Sequence, residues 1–499
     1  MLNYYKDYAY LGVQYTGVAH RYGVNGKISG NMAALSELRD CAVVVHGPVG
    51  CGFHYRYSMR SSFSPYYNLE STALNNSDVV FSGEGKLRET LKRVLDRQPE
   101  MIAVVSTCVA DVLGEDVQGI VNDFASHNAL GKTKKIITVN SEVFSHPDKI
   151  SFMKRLKERV WNNGNKNIKS DAQFCGCGFI EVLNTLVDQV MEYQPVVPNS
   201  VNLESFAWGY GGTEKMQGVI DMLQRIGITV NTILPTGGYE QIRTAPRAQL
   251  NVARRIRWAQ RMQNRFGTEY VHFPNLGEWA GVKGIEEFYC KIAEHFDKEY
   301  VAKKIIAEEF AKHEYDIEAA KRHLSSFSYG LVTSVISEIP DTIELYEQEY
   351  RMPLKFIALM LPESYQAEAR LDDATMEKMF QNIKDTINAT GTKAVFMLNP
   401  TEKELLEAAS KVDCLVGNGL LRIKNLNTPC LASNAEVRYL DFANYAKALH
   451  NMALQVGKGT GTSKLLWHLL DINKEYYPIT NDANALASRE MWSRMWRKR

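Results

Sequence analysis

Two cysteines in the first quarter of the sequence stand where thiols could bind iron. In CAVVVHGPVGCGFHYR (41–56) and in MIAVVSTCVADVLGEDV (101–117), a β-branched run is followed closely by Cys51 and by Cys108. Ligands of open α/β sheets collect at the carboxyl ends of strands, and iron–sulfur clusters need thiolates. We expect His46 to orient the Cys51 turn through a backbone hydrogen bond. Spacing alone also fits two ordinary buried cysteines, since free cysteine is among the most buried residue types.

A second pair, Cys175 and Cys177 in QFCGCG (173–178), has the spacing of a metal-binding C-x-C. Side chains two residues apart on an extended segment point the same way, and paired thiols suit a soft metal. Most such sites need two further ligands nearby in space. The alternative is a loop of small residues that packs against the first domain. Three more cysteines are expected in the core: Cys290, Cys414 and Cys430.

The elements that must position these thiols alternate between short β-branched runs and longer amphipathic stretches, which is typical of parallel α/β layers. Residues 213–225 have helical spacing between two strand-like runs and predict one βαβ unit. Residues 298–325 are charge-rich with a helical period, so they predict a connecting helix. The strand-like runs lie at 42–45, 101–105, 136–139, 228–230, 356–359 and 394–397.

These elements predict three α/β domains, at 1–200, 201–324 and 325–499, the last with a helical C-terminal extension. With 45% hydrophobic and 23% charged residues, the composition is that of a globular protein. A formal net charge of +1 disfavours a nucleic-acid partner. No run approaches the ~20 apolar residues of a membrane helix, and the N-terminus does not have the pattern of a secretory signal. We therefore expect a cytoplasmic protein without a membrane partner.

Three segments resemble the nitrogenase component 1 family in the same order and at similar separations. HGPVGC at 46–51 is similar to the family's HG-x-x-GC loop. STALNNSDVVFSGEGKLRETL at 71–91 is similar to its ST-x-x-x-E-x-x-x-VFGG-x-x-x-L segment, with Ser82 in place of a glycine. STCVADVLGEDV at 106–117 is similar to its S-x-C-x-x-x-x-GDD loop, with Glu115 in place of an aspartate. Three ordered motifs are far more specific than any one alone.

The resemblance continues through 208–231, 273–297 and 412–420 and therefore covers most of the chain. It implies three Rossmann-like parallel-sheet domains around a cluster-binding cleft. It also implies an oxidoreductase subunit, most similar to the β-type chain of a nitrogenase or nitrogenase-like reductase. In the family, an ATP-dependent iron–sulfur reductase protein docks transiently and passes electrons to a cluster shared between two component 1 chains. By this resemblance, Cys51 and Cys108 match two of the family's ligand positions for that cluster.

The family's third cysteine ligand is missing from this sequence. It would fall near Asn25 and Gly26, and neither residue can donate a thiolate. Cys41 lies at the opposite end of its strand from Cys51 and is expected in the core, because a strand rises ~3.3 Å per residue. The family's 8Fe–7S cluster draws three cysteines from each chain, whereas a [4Fe–4S] cluster takes four ligands in all. Two thiolates per chain favour the [4Fe–4S] cluster, shared with a homologous α-type chain or a second copy.

The family's catalytic chain also holds a heterometal cofactor through a cysteine and a histidine. The matching places here are Asn251 and the segment 428–442, which contains no histidine, and a pocket histidine is matched by Cys177. The resemblance therefore predicts that this chain does not hold that cofactor in the family's manner. Three functions stay open: an electron-relay subunit of a reductase, a scaffold for nitrogenase cofactor assembly, or a tetrapyrrole reductase subunit.

Overall fold

The computed structural model describes residues 26–52, 68–128, 131, 133–140, 176–204, 212–273, 281–333, 338–360, 373–389, 391–417, 426, 428–431 and 440–457. These residues form three parallel β-sheets in chain order, flanked by helices. The α/β class with three parallel-sheet domains is thus confirmed. Within this described part, no helix is both long and apolar enough to cross a membrane.

The first sheet has four parallel strands in the order β2-β1-β3-β4. Alternate residues of β1 contribute to two different cores, one on each face of the sheet. Burial on both faces explains why its sequence is a continuous apolar run. The predicted strands at 42–45, 101–105 and 136–139 are confirmed. The elements are α1 (Gly26–Leu35), β1 (Cys41–His46), β2 (Asn68–Ser71), α2 (Asn76–Phe81), α3 (Glu84–Leu95), β3 (Met101–Ser106), α4 (Cys108–Leu113), α5 (Val117–His127), β4 (Lys135–Val139) and α6 (Gly176–Gln189).

The second sheet also has four parallel strands, in the order β6-β5-β7-β8. Its first strand begins at Val197, slightly before the boundary predicted at 201. The predicted helix at 213–225 and the connecting helix at 298–325 are confirmed. The elements are β5 (Val197–Glu204), α7 (Gly212–Ile226), β6 (Thr229–Leu234), α8 (Tyr239–Arg243), β7 (Ala248–Ala253), α9 (Ile256–Phe266), β8 (Glu269–His272), α10 (Gly281–Glu294) and the connecting helix α11 (Glu299–Leu324).

The third sheet has five parallel strands in the order β11-β10-β9-β12-β13. The strands predicted at 356–359 and 394–397 are confirmed within one or two residues. A π-helix, Glu344–Glu349, directly follows the short helix α12. The elements are β9 (Tyr329–Thr333), α12 (Glu338–Ile343), β10 (Leu354–Leu359), α13 (Asp373–Ala389), β11 (Val395–Leu398), α14 (Glu402–Ala409), β12 (Cys414–Val416), β13 (Cys430–Leu431) and α15 (Phe442–Gly457).

The second sheet shares a core with each neighbouring domain. Val201 and Leu203 face the core that continues into the third domain. Leu234 and Ala253 belong to the core shared with the first domain. On that side α6 packs between α1 and α9. Arg261 Nε on α9 lies 2.6 Å from Asp188 Oδ1 on α6. The first and second domains are therefore packed through a continuous apolar layer.

A buried ion pair ties the connecting helix α11 to the third domain. Lys321 Nζ lies 2.8 Å from Glu349 Oε1, and that oxygen also accepts hydrogen bonds from Tyr445 Oη (2.9 Å) and the amide of Val282 (3.1 Å). The Lys321 side chain is only 5% exposed. Burial acts to raise the pKa of Glu349, but the hydrogen bond and charge of Lys321, together with the hydrogen bonds from Val282 and Tyr445, outweigh it and lower the pKa below its ordinary value. Glu349 is therefore ionised in the folded protein at neutral pH.

We expect Lys321→Met to lower the free energy of unfolding by about 2–3 kcal/mol at pH 7, because it leaves the Glu349 carboxylate without its cation. Lys303→Met on the same helix is the control. Lys303 is 58% exposed, so this substitution should cost less than about 0.5 kcal/mol.

A carboxyl group with a lowered pKa stabilises the folded state above the ordinary pKa of 4.5, and this stabilisation is lost as the pH falls below that value. Urea denaturation at several pH values should show the Lys321→Met deficit shrinking in acid. A deficit that is constant down to pH 3 would contradict this.

Candidate cluster-binding site

Both predicted cluster ligands lie at the carboxyl edge of the first sheet. Strands β1 and β3 pair in parallel, with His46 opposite Ser106 at their carboxyl ends. Cys51 follows β1 in a helical turn, where its amide donates a hydrogen bond to the carbonyl of Pro48 over 3.0 Å. Cys108 is the first residue of α4, directly after β3. The structure therefore brings the two turns to one sheet edge, as predicted.

The two thiols differ in exposure. The Cys51 side chain is half-buried and Cys108 is exposed. Burial, and to a smaller extent the neighbouring Cys108 thiol, raises the pKa of Cys51. The two turns follow neighbouring strands of the sheet, and its exposure places Cys108 at the surface of the domain. That they bind a cluster remains a prediction.

The two thiol turns are joined by a direct hydrogen bond. Thr107 Oγ1, next to Cys108, donates to the carbonyl of His46 over 2.9 Å, and both residues are buried. A Cβ placed on Gly47 would lie 2.3 Å from that hydroxyl oxygen. The turns can approach this closely only because residue 47 has no side chain.

We expect Gly47→Ala to lower the free energy of unfolding by about 1–3 kcal/mol, because the new methyl group forces Thr107 away from its position. Gly50→Ala in the same turn is the control for stability, since its Cβ would meet nothing within 4 Å. We expect it to change stability by less than about 0.5 kcal/mol. The double variant Gly47→Ala/Thr107→Ala should recover part of the loss. Urea denaturation of the cluster-free proteins measures all three, and equal losses at 47 and 50 would exclude the steric explanation.

The His46 imidazole joins all three motif segments. Its Nε2 lies 2.7 Å from Glu115 Oε2, and its Nδ1 lies 3.2 Å from Thr72 Oγ1. The other oxygen of Glu115 accepts hydrogen bonds from the amide of Gly83 and from Ser82 Oγ. From the sequence, only a backbone hydrogen bond was expected for His46. Its carbonyl does accept one, but the side chain makes the longer-range connections, and Glu115, Thr72 and Thr107 were not anticipated as its partners.

Several large apolar side chains near the thiol turns are exposed to solvent. Phe81, at the end of α2, is 86% exposed, and Val80 beside it is 73% exposed. Val49 in the Cys51 turn is 64% exposed, and Leu113 at the end of α4 is 39% exposed. We call these four residues the apolar rim. Exposed apolar side chains on several segments around one site favour a protein contact surface there.

The donor set fits half of an iron–sulfur site. Thiols are the ligands that such clusters take, and Cys51 and Cys108 supply two of them. Within the described residues, no group of three or more His, Cys, Asp or Glu side chains could hold a metal ion. A cluster held by Cys51 and Cys108 would take its further ligands from outside this described set, and the exposed Cys108 side chain is accessible to a second polypeptide.

The carboxyl edge of the second sheet is filled by the chain's own side chains. Glu204, fully buried at the end of β5, accepts hydrogen bonds from the amides of Arg254 and Arg255 (both 2.8 Å) and from Trp258 Nε1 (2.7 Å). The Arg255 guanidinium also pairs with Glu204 and lies 4.1 Å from the ring centroid of Phe179. Strand order reverses between β5 and β7, which is where open sheets take ligands. Here an internal ion pair occupies that position.

Comparison with known proteins identifies the family. The profile of the family described as Nitrogenase component 1 type Oxidoreductase matches residues 27–431. The chain belongs to this family. Its three parallel sheets, with the two thiol turns on the first, are thus a nitrogenase component 1 fold.

Individual component 1 relatives are distant in sequence. The nitrogenase iron-molybdenum cofactor biosynthesis protein NifE of Clostridium pasteurianum is 24% identical over 402 residues, which are 78% of this chain and 76% of the relative. The nitrogenase molybdenum-iron protein alpha chain of Methanosarcina barkeri is 24% identical over 309 residues, 58% of this chain and 51% of the relative. The solved structure "Nitrogenase Cp1 at pH 5" superposes with a TM-score of 0.60 at 16% identity, covering 89% of this chain and 90% of the other. This last likeness concerns the fold alone.

The positions matched to the component 1 heterometal cofactor are only partly described. Asn251 is buried within β7, where its Oδ1 accepts a hydrogen bond from Asn202 Nδ2 over 2.8 Å. Asn251 therefore takes part in a side-chain hydrogen bond between strands β5 and β7 inside the sheet. Of the segment 428–442, the structure describes residues 428–431 and 440–442, with Cys430 in β13.

The C-x-C segment departs from the extended conformation that the sequence suggested. Cys175 lies outside the described residues, whereas Cys177 is the second residue of helix α6. The expectation of an extended backbone at Cys177 is wrong, because the amphipathic sequence after Gly176 already forms the helix. A metal role for Cys175 and Cys177 stays a prediction.

The remaining described cysteines lie in or against apolar cores. Cys41 is buried at the start of β1, and burial raises its pKa to about 12. Burial likewise raises the pKa of Cys430 to about 12 and raises that of Cys414. Cys414 and Cys430 belong to cores on opposite faces of the third sheet. Cys290 is half-buried against the core of the second domain.

Proposed function

We propose that the chain is the electron-relay subunit of a nitrogenase or nitrogenase-like two-component reductase. The observation that carries this proposal is the convergence of two surface thiols, from adjacent strands, at one sheet edge in a component 1 fold. Two thiolates suit half of a [4Fe–4S] cluster, so the other half comes from a homologous α-type chain or from a second copy. When bound, such a cluster supplies storage for single electrons.

The chain's own residues hold the site in place. Cys51 and Cys108 would hold iron, while Thr107 and Gly47 fix the distance between their turns. The apolar rim lies on the Cys51 turn, on α4 and on α2, and its side chains gain free energy from burial against protein. An electron donor must come close to the thiols for efficient transfer. We propose that the Phe81 part of the rim docks the ATP-dependent iron–sulfur reductase protein.

The test is an anaerobic preparation of the full-length protein with its co-purifying subunits. We expect a brown oligomer with about four iron and four sulfide per pair of chains, and an EPR signal in the reduced state. Mixing with the reductase protein and ATP should reduce this centre. A colourless oligomer, or a centre that the reductase protein cannot reduce, would contradict the proposal. A count of eight iron atoms per pair of chains would contradict the [4Fe–4S] assignment but not the electron-relay function.

A second candidate function is a scaffold on which a nitrogenase cofactor is assembled. It is favoured by the similarity to the biosynthesis protein NifE, which extends over 78% of this chain, against 58% for the Methanosarcina barkeri alpha chain. The two functions differ in turnover. A scaffold transfers its bound cofactor to an acceptor protein once, whereas a reductase consumes electrons continuously with its ATPase partner. Radiolabelled iron that leaves the oligomer for apo-nitrogenase would favour the scaffold.

A further inference from the structure

His46 contacts both ends of the helix that carries Cys108. At the front of α4, the carbonyl of His46 accepts a hydrogen bond from Thr107 Oγ1 over 2.9 Å. Just after the C-terminal end of α4, the Glu115 carboxylate lies 2.7 Å from the Nε2 atom of His46. The helix between these contacts is only six residues long. Gly47, the next residue after His46, begins the turn that leads to Cys51.

The packing leaves the His46 ring no room to turn. The ring is fully buried, and the Glu115 side chain is 9% exposed. Thr72 Oγ1 lies 3.2 Å from Nδ1, and a Cβ on Gly83 would lie 2.9 Å from His46 Cε1 and 3.1 Å from Glu115 Oε2. A hydrogen bond to a carboxylate is stronger where water is excluded. The short helix α4 is therefore held at both ends by one buried residue.

We propose that His46 and Glu115 are positioning residues that set the separation of the Cys51 and Cys108 thiols. This inference rests on the proposed cluster-binding function of those thiols. A metal or cluster site needs its ligands held to within about 0.5 Å, which surface turns achieve only when other groups fix them. The Thr107 hydrogen bond ties the front of α4 to the Cys51 turn. Without the Glu115 contact the helix pivots about that point, and Cys108 moves relative to Cys51.

The separation can be measured in the cluster-free protein with phenylarsine oxide. This reagent forms two As–S bonds to a pair of nearby thiols and releases one water molecule. All proteins carry Cys175→Ser and Cys177→Ser, so that the C-x-C segment does not bind the reagent. His46→Ala and Glu115→Ala remove the two halves of the contact behind α4. Asp116→Ala is the matched control, because Asp116 is exposed, caps α5 by accepting from the amide of Gly119 (2.8 Å), and shows no bond to His46.

We expect His46→Ala and Glu115→Ala each to weaken phenylarsine oxide binding about tenfold, the equivalent of one charged hydrogen bond. The double variant should be no weaker than either single variant, since both disrupt the same contact. Asp116→Ala should bind as the parent does. Unchanged binding in both single variants, or equal weakening in Asp116→Ala, would overturn the proposal. Glu115 is the less buried of the pair, so Glu115→Ala decides the matter should His46→Ala not fold.

A separate measurement distinguishes this proposal from the function on which it rests. Each protein, with Cys175 and Cys177 restored, is reconstituted anaerobically with iron and sulfide. A parent protein that takes up no iron ends the proposed cluster function, whatever the arsenical shows about thiol spacing. A parent that takes up iron, with the Glu115→Ala variant giving an altered EPR signal in the reduced state, supports both. An unaltered signal in that variant counts against positioning only.

Discussion

Cys51→Ala and Cys108→Ala are each expected to reduce the iron of the anaerobically purified protein more than about tenfold. Each substitution removes one of the two thiolates that this chain offers, and loss of even an indirect contact around a metal costs 10- to 100-fold in affinity. Cys51 is half-buried and Cys108 exposed, so neither alanine leaves a large cavity. The loss should therefore appear as missing iron in a folded protein.

The matched control for these variants is Cys290→Ala. Cys290 is another half-buried free cysteine, on α10 of the second domain, and it packs against an apolar core. It should keep its full iron content. Iron and sulfide assays, together with the reduced-state EPR signal, measure the difference. Full iron in both Cys51→Ala and Cys108→Ala would remove the basis of the proposed function.

Phe81→Ala is expected to slow electron entry from the ATP-dependent reductase protein at least tenfold at low donor concentration. Phe81 is 86% exposed at the end of α2, directly before Ser82 and Gly83, whose hydroxyl and amide donate hydrogen bonds to Glu115. A large aromatic side chain that becomes buried on docking is typical of a binding hot spot, worth 2 kcal/mol or more. The effect should fall on the apparent affinity for the donor and vanish as the donor is raised to saturation.

Tyr315→Ala provides the comparison, because Tyr315 is a 78% exposed aromatic residue on the connecting helix α11. Its electron-entry rate should match that of the parent. Iron content and oligomer size should be unchanged in both variants. Dissociation of the component 1 oligomer in Phe81→Ala would instead assign this part of the apolar rim to the subunit interface, and an unchanged rate would show that the donor docks elsewhere.

Much of the fold could be predicted because its strands are buried on both faces. Strands β1 and β3, and residues 356–359 of β10, are apolar runs and were recognisable without any tertiary information. Strand β5, at the centre of its sheet, was anticipated only as a strand before the helix at 213–225, and its bounds were not predicted. Its sequence, VPNSVNLE, contains a proline and several polar residues. Asn202 is satisfied there by Asn251 and by the carbonyl of Ala245, partners that are 49 and 43 residues away.

The candidate site also combines features that could be predicted from the sequence with features that only the structure revealed. The two thiols were identified from their place after strand-like runs and from their resemblance to a family, and the structure sets them at one sheet edge. The C-x-C segment was expected to be extended, but at Cys177 the helical periodicity of the following residues determines the backbone. Glu204 could not have been assigned from sequence, because its partners lie about 50 residues further along.

The sequence by itself determined the class of fold, the position of Cys51 and Cys108 after two buried strands, and the family. Those properties follow from local patterns, since hydrophobic period and short motifs are legible along the chain. Only the tertiary structure decided that His46 holds both ends of the Cys108 helix through Thr107 and Glu115. Such contacts join residues 61 and 69 positions apart, and no local pattern encodes which distant polar groups will meet once the strands have paired.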